Sequence, residues 1–522
     1  MVDPIGERMS DDTSPISRIS TLFKGGSIAA IGVVVELGIS FFAKVVLARW
    51  LGKVEYGAVS LGIMLMAMTS TIVLLGLPSG IGRFLPRYDD RAHRRGILLT
   101  GFSIVLPFSI VVGGILVLFA PTIATTVFDN PSTGPILRVF GLIIPLAATM
   151  KFTIGVVRGM QHTVPKVYIQ NLSLPIARFA GIGVAIAFGF GTVGVAWAYA
   201  VSYAVAVTTG IYYLWRHTSL FEFGTEYTTD YRNLLAFSFP LLIMSAMSLI
   251  FKDIDIFFLG YYQSAGNVGI YNVVYPIAQL LLVAVTSFGF IFMPVLSELH
   301  SEGKIDEMAR LYEVVTKWVF MSTLPLFLVF VLFPDLSLEI TFGGEYRPGA
   351  PALVILGLGF ITHTAAGPNM DLLTSIGRTR LIMYDNSVVA AVNLALNIVL
   401  IPRYSFIGAA VATAVAYALL NLLYTYQLYR IAKIQPLTPA MIKPTVIAVG
   451  LIGMIYVIAK IFVPLNLVTL PLLFGVFVTV YGISILRFGG IESEEVQLVL
   501  RFEDRFGVDL GPIKVIANWF IS

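Results

Sequence analysis

From residue 25 to residue 488 one long apolar run follows another, each near the ~20 residues that an α-helix needs to cross a bilayer. Windows of that length begin near residues 27, 55, 96, 135, 167, 192, 233, 267, 313, 350, 381, 407, 443 and 468. With 57% of residues apolar and only 12% charged, a soluble chain could not bury that much apolar surface behind so few charges. The expected fold class is therefore an all-α polytopic membrane protein of about fourteen transmembrane helices. Pro107, Pro145, Pro175, Pro240, Pro276 and Pro325 fall inside spans, where neighbouring groups can satisfy the freed carbonyls. Cysteine is absent, which removes disulfides, thiolate metal sites and cysteine nucleophiles together.

Lys and Arg orient the spans. With the N-terminus inside, the cytoplasmic segments hold 24 of the 34 basic residues, the external segments hold six, and Lys44, Lys151, Arg178 and Lys252 remain at depth. Both termini are expected in the cytoplasm and the protein in the plasma membrane. The opening "MVDPIGERMSDDTSPISRIS" lacks the basic-then-apolar order of a secretory signal and reads as a disordered tail. Residues 489–522 read as an amphipathic segment on the inner membrane surface, or alternatively as a packed cytosolic helix. The basic run "RFLPRYDDRAHRRG" (83–96) is a positive-inside stop after the second span rather than a nucleic-acid patch.

The chain also contains itself twice. At an offset of 214, Gly194 falls on Gly408, Tyr203 on Tyr417 and Arg216 on Arg430. Earlier in each copy the offset is 208, which places Leu51-Gly52 on Leu259-Gly260 and Pro86 on Pro294. A loop four residues longer in the second copy then carries Gly57 onto Gly269. The implied domains are a tail (1–24), an N-lobe (25–216), a C-lobe (217–432), two extra helices (433–488) and a C-terminal tail (489–522). Six helices per copy is an even number, so both lobes share one orientation. They are related by a pseudo-two-fold along the membrane normal, and substrate is expected at the midplane between them.

At the 208 offset Lys252, in "SLIFKDIDIFFLGYY" (248–262), falls on Lys44. Each lies eight residues before its Leu-Gly glycine, about 12 Å at helical rise. A charge at that depth costs a few kcal/mol, ~2.5–3.5 on insertion scales, so it must face protein or a wet cavity. Two ammonium groups across a central space would make an anion site. Asp255, three residues after Lys252, could instead neutralise it within the bundle, and that reading stays open. On the functional reading Lys44 and Lys252 bind an anionic substrate, with Arg49 a weaker candidate because it can snorkel to the interface. Glu36, Asp253 and Asp255 then balance charge or take a coupling cation, proton or sodium.

Arg178 is deep but has no partner visible in the sequence, and Lys151 and Arg158 read as interface anchors. His363 and Asp371 could form a proton relay or be packing groups. No histidine cluster has metal-ligand spacing, no G-x-x-x-x-G-K-[ST] loop or H-E-x-x-H motif occurs, and no cofactor is expected.

The stretches "LARWLGKVEYGAVSL" (47–61), "DIFFLGYYQSAGNVGIYNVV" (255–274) and "FMPVLSELHSEGK" (292–304), in register with fourteen spans, resemble the polysaccharide transporter family. This is the Wzx-like lipid-linked oligosaccharide flippase group of the multidrug/oligosaccharidyl-lipid/polysaccharide exporter superfamily, and the resemblance covers residues 20–488. It implies a V-shaped pair of six-helix lobes around a cationic cavity that admits the phosphate and sugar of a polyprenyl- or dolichyl-phosphate-linked glycan. The tail stays in the bilayer, and glycosyltransferases of the same pathway are expected partners. The two extra helices could add a lipid groove, as in the peptidoglycan-precursor branch, although no arginine cluster occupies the first two spans. No chemistry on the substrate is needed: a polar cavity removes the desolvation cost of the glycan hydroxyls.

An ion-coupled exporter of cationic drugs, from the same superfamily, predicts an acid-dominated cavity. A multi-span glycan polymerase or glycosyltransferase predicts a long external loop, and the loops here are short.

Overall fold

The computed structural model describes the backbone from Pro15 to Arg487, apart from Asp89, Thr163, Ser219 and residues 221–225 and 463–468. Side chains are described from Gly32 onward, except at scattered helical positions that include Lys252. Residues 1–14 and the expected C-terminal tail (489–522) lie outside the described residues. Within the stretch read as a disordered tail, helix already begins at Pro15, a residue suited to a first helical turn because its missing N–H would have no partner there.

Among the described residues all regular structure is helical. The helix Pro15–Val73 holds two passes, α1 (15–51) and α2 (53–73), divided at Gly52, where φ is 74° and ψ 170°. An L side chain there would cost about 1–2 kcal/mol, so glycine lets two passes meet with no loop between them. After a break, α2 resumes as Leu77–Phe84. Then come α3 (Arg91–Thr122), α4 (Gly134–Gly159), α5 (164–187), α6 (Gly191–His217) and α7 (Tyr231–Tyr262). The pass α8 joins Ala265–Gln279 to Val283–Ser301 through a 3₁₀ turn, and α9 is Ile305–Leu332. A short helix, Pro334–Phe342, leads to α10 (Ala350–Ala366, resuming as Asn369–Ser375). The helix Thr379–Ala432 divides at Ser405 into α11 (379–404) and α12 (406–432), and α13 (Ile442–Phe462) and α14 (Thr469–Arg487) complete the series. Each expected span therefore has its helix.

The predicted interior prolines sit in these helices, and the sequence explains one irregularity. A π-helical stretch, Val167–Ser173, immediately precedes Pro175 and absorbs the hydrogen bond that proline cannot make.

The chain forms two compact units that divide at Gly269. In the first, α4 is the central helix, packed by the helix Pro15–Val73, α3, α6 and the Leu77–Phe84 segment, while α7 packs on the helix Pro15–Val73 and on Leu77–Phe84. Phe140, Ile143, Ala147 and Phe152 of α4 are wholly buried. In the second, α10 packs on the helix that carries α11 and α12 and on α9. Tyr312, Leu372, Tyr424 and Leu428 fill its interior. The extra helices rest on α9, with the Tyr481 hydroxyl 3.4 Å from the Met321 carbonyl and the Phe333 and Tyr456 rings 5.4 Å apart. Residues such as Leu118, Phe119, Trp215 and Leu422 face outward, as a lipid-solvated surface requires.

The duplication is visible in one contact of the first unit. A Cβ on Gly57 would strike the Ala265 carbonyl, and a Cβ on Gly269 would strike the Lys53 carbonyl. Adding 212 turns Lys53 into Ala265 and Gly57 into Gly269, so the contact maps onto itself when the copies are exchanged. Such self-complementarity is the mark of a two-fold. Small residues permit this close backbone approach, the usual basis of helix association in lipid. The Leu-Gly pair itself diverges between copies: Gly52 bends the chain, whereas Gly260 stays helical under Leu61 and Phe128, and the longer loop of the second copy makes the turn instead.

Phe140→Ala should lower the stability of the purified, detergent-solubilised protein by about 3–5 kcal/mol. Phe119→Ala, on the outward face, should change it by less than about 0.5 kcal/mol. Denaturant titration of both variants checks the assignment of inner and outer faces.

Candidate functional site

Lys44 is half-buried on α1, and Lys252 is helical on α7 with its side chain outside the described residues. In the first unit α7 packs on the helix Pro15–Val73, with Leu61 of its second pass against Gly260 of α7. Asp253 is half-buried and Asp255 is 4% exposed; both acids and Lys44 are engaged by other groups. Arg49 is exposed near the end of α1.

Glu36 lies two turns below Lys44 and meets α5. The buried Asn171 amide donates to its carboxylate at 2.7 Å, while the Asn171 carbonyl oxygen has no hydrogen-bond partner. On the same pass Arg178 finds the partners the sequence concealed. Its guanidinium lies 4.4 Å from the Tyr199 ring centre and 5.8 Å from that of Tyr203. Tyr199 and Tyr203 are four residues apart and so share one face of α6. That spacing is the sequence signal for an arginine neighbour. Cation–π attraction at a desolvated site is worth ~2 kcal/mol, which helps hold the arginine at depth.

Lys151 is not an interface anchor. Its ammonium donates to Ser70 Oγ at 2.8 Å and Thr71 Oγ1 at 3.0 Å, inside the first unit. In the second unit His363 Nδ1 and the Asn369 amide both approach Asn421 Oδ1, at 2.7 and 3.0 Å. The Asp371 carboxylate lies against Gly289, so His363 and Asp371 are not hydrogen-bonded to one another among the described residues. The packing alternative describes them better than a relay. The described residues contain no cluster able to hold a metal ion.

Two tight contacts hold α2 near its two ends. At the end near Arg49 and Lys53 lies the Gly57–Gly269 crossing. At the arginine-rich end, Gly76 abuts the backbone of Ser238 and Leu242, and Gly80 abuts the Ser238 side chain. The Phe84 and Phe237 rings are 5.0 Å apart, with the Arg83 guanidinium 5.4 Å from the Phe237 centre. Gly96 of α3 meets Thr228, Ser103 lies 3.1 Å from the Tyr231 hydroxyl, and the Arg95 guanidinium is 5.5 Å from the Tyr227 ring centre. In the loop before α3, the His93 ring and the first backbone N–H groups of the helix hold the Asp90 carboxyl below its usual range.

Residues 22–300, more than half of the chain, match the family model described as polysaccharide biosynthesis protein. An uncharacterised membrane protein of Methanocaldococcus jannaschii is 26% identical over 438 residues, 80% of this chain and 85% of that one. The probable low-salt glycan biosynthesis flippase Agl15 of Haloferax volcanii is 24% identical over 203 residues, 38% of this chain and 42% of that protein. Among solved structures, the lipid II flippase MurJ in an inward closed conformation matches with a TM-score of 0.68 at 15% identity. That match covers 89% of this chain and 99% of the other, and it shows the fold: two six-helix lobes and two further helices.

The chain has no cysteine of its own, and a Cβ placed on Gly80 would lie 3.2 Å from the Ser238 Cβ. A Gly80→Cys/Ser238→Cys pair should form a disulfide under mild oxidation, since an outward shift of a few tenths of an ångström brings the Cβ atoms to the ~3.5–4.5 Å of a bridge. Thiol-modification gel shifts in membranes, before and after reductant, read the bond.

Proposed function

The chain belongs to the polysaccharide biosynthesis protein family, and from that premise we propose that it is a flippase for lipid-linked sugars or oligosaccharides. It carries the head group of a polyprenyl- or dolichyl-phosphate-linked glycan from the cytoplasmic to the external leaflet of the plasma membrane, with both termini cytoplasmic. The observation that carries this reading is the double closure of α2, at the Gly57–Gly269 crossing and at the Ser238 clasp. A helix closed at both ends by elements of the other copy is what alternating access requires, because one closure must hold while the other opens.

The duplicated lysines supply the anion site in this reading. Lys44 and Lys252 occupy equivalent positions of the two copies, and ammonium groups there attract a phosphate in a medium where charge interactions are strong. Arg49 adds positive charge at the mouth. Glu36, Asp253 and Asp255 balance these cations and offer carboxylates for a coupling proton or sodium ion. Glu36 is the best defined of the three, through Asn171. The flippase relative and the duplicated lysines both favour an anionic lipid-linked substrate over a cationic drug. Glycosyltransferases that build the glycan on the same carrier are the partners this role calls for, and the protein itself performs transport without changing a bond.

Replacing Lys44 and Lys252 by alanine together should reduce exported glycan about tenfold or more, with lipid-linked intermediate accumulating in the inner leaflet; each single change should cost less. Wild-type export by a well-expressed double variant would remove these lysines from the site. Loss of export without accumulation of intermediate would contradict the flippase reading itself.

A further inference from the structure

The break in α2 is built differently from the matching interruption in the second copy. In α8 the helix merely tightens to 3₁₀ over Leu280–Leu282, and the neutral Thr323 hydroxyl approaches the Leu281 carbonyl at 3.5 Å. In α2 the chain leaves helix altogether. Leu75 has φ 51° and Gly76 φ 73°, two consecutive left-handed residues, the first of them a leucine. A leucine in that conformation costs about 1–2 kcal/mol and persists only where its surroundings hold it.

What surrounds it is α4. Lys151 donates to Ser70 Oγ and Thr71 Oγ1 on the last turn before the break. Both hydroxyls already donate to the Ala67 carbonyl, at 3.0 and 2.9 Å, so their lone pairs are what the ammonium engages. This is the C-terminal end of a helix segment, where the backbone dipoles favour a positive charge. One turn further along α4, Gly155 lies against Pro78, the second residue of the resumed helix. Lys151 and Gly155 thus grip α2 on the two sides of its break. Beyond the break, Gly76 and Gly80 form the clasp with Ser238.

We propose that residues 74–76 are the hinge on which the Leu77–Phe84 segment swings. Lys151 is its positioning residue, a fixed internal cation that holds the last turn of α2 so that the clasp closes. This rests on the alternating-access reading above and adds to it the element that moves. Removing the ammonium frees the turn and leaves the clasp open for a larger share of the time; an arginine restores the charge and most of the grip.

The test measures the rate at which the Gly80→Cys/Ser238→Cys disulfide forms in membranes, in backgrounds carrying Lys151, Lys151→Met or Lys151→Arg. A control pair, Gly181→Cys/Ala198→Cys, bridges α5 and α6 away from the hinge. The expected result is disulfide formation about tenfold slower with Lys151→Met, as an interaction of ~1.4 kcal/mol would produce. The control pair should be unchanged and Lys151→Arg close to wild type. Equal rates in all three backgrounds, or equal slowing of both pairs, would overturn the proposal, the latter showing a general loosening of the lobe. Glycan export is followed in the same cells. If the clasp disulfide leaves export intact, alternating access at this clasp is wrong; if it blocks export while Lys151→Met leaves the rate unchanged, only the hinge assignment is.

Discussion

Hydrocarbon offers no hydrogen-bond partner, and every backbone N–H and C=O inside it must find one within the protein. Unbroken helix is the cheapest solution, so each departure from helix at membrane depth needs a compensating group. The interruptions here have identifiable compensation. The π stretch before Pro175 absorbs a missing donor, the turn at Leu280–Leu282 is shadowed by a threonine hydroxyl, and the break at Leu75–Gly76 is gripped from α4. Breaks that cost energy and persist are where a membrane protein concentrates motion and binding. In this molecule one such break, at Leu75–Gly76, lies in a helix that both tight contacts share.

The charges at depth obey the same economy. Arg178 is stacked on two tyrosines, Lys151 rests on two hydroxyls at a helix end, Glu36 accepts from Asn171, and Asp255 is buried and engaged. Arg178 and Lys151 are internal cations with partners on neighbouring helices. The second copy's polar interior sets amides and an imidazole, Asn369, Asn421 and His363, beside the buried charges Asp255, Lys317 and Asp385.

Much of the fold is legible in the order of residues alone. The fourteen windows of apolar residues each correspond to a helix, because the bilayer sets both the length and the type of element. The repeat follows from spaced landmarks, and the Gly57–Gly269 contact expresses it physically. The site is less legible. Lys151 resembles an interface anchor because its distance from the basic loop is short in sequence. Only the packing of α4 on α2 reveals that it points inward. Arg178 has no visible partner in sequence because the tyrosines that hold it lie on the next helix.

The sequence alone determined that this chain lives in lipid, how many times it crosses, that it is two copies of one plan, and that a lysine recurs at the same place in each. These depend on hydrophobic length and on spacing along the chain, which are one-dimensional quantities. Tertiary structure decided which buried charges are already satisfied, where α2 breaks, and that α7, the first helix of the second copy, packs into the first compact unit. Those outcomes turn on which side chains meet across helices, and in a bilayer, where apolar faces look alike to lipid, glycine contacts and a few polar partners choose among the packings.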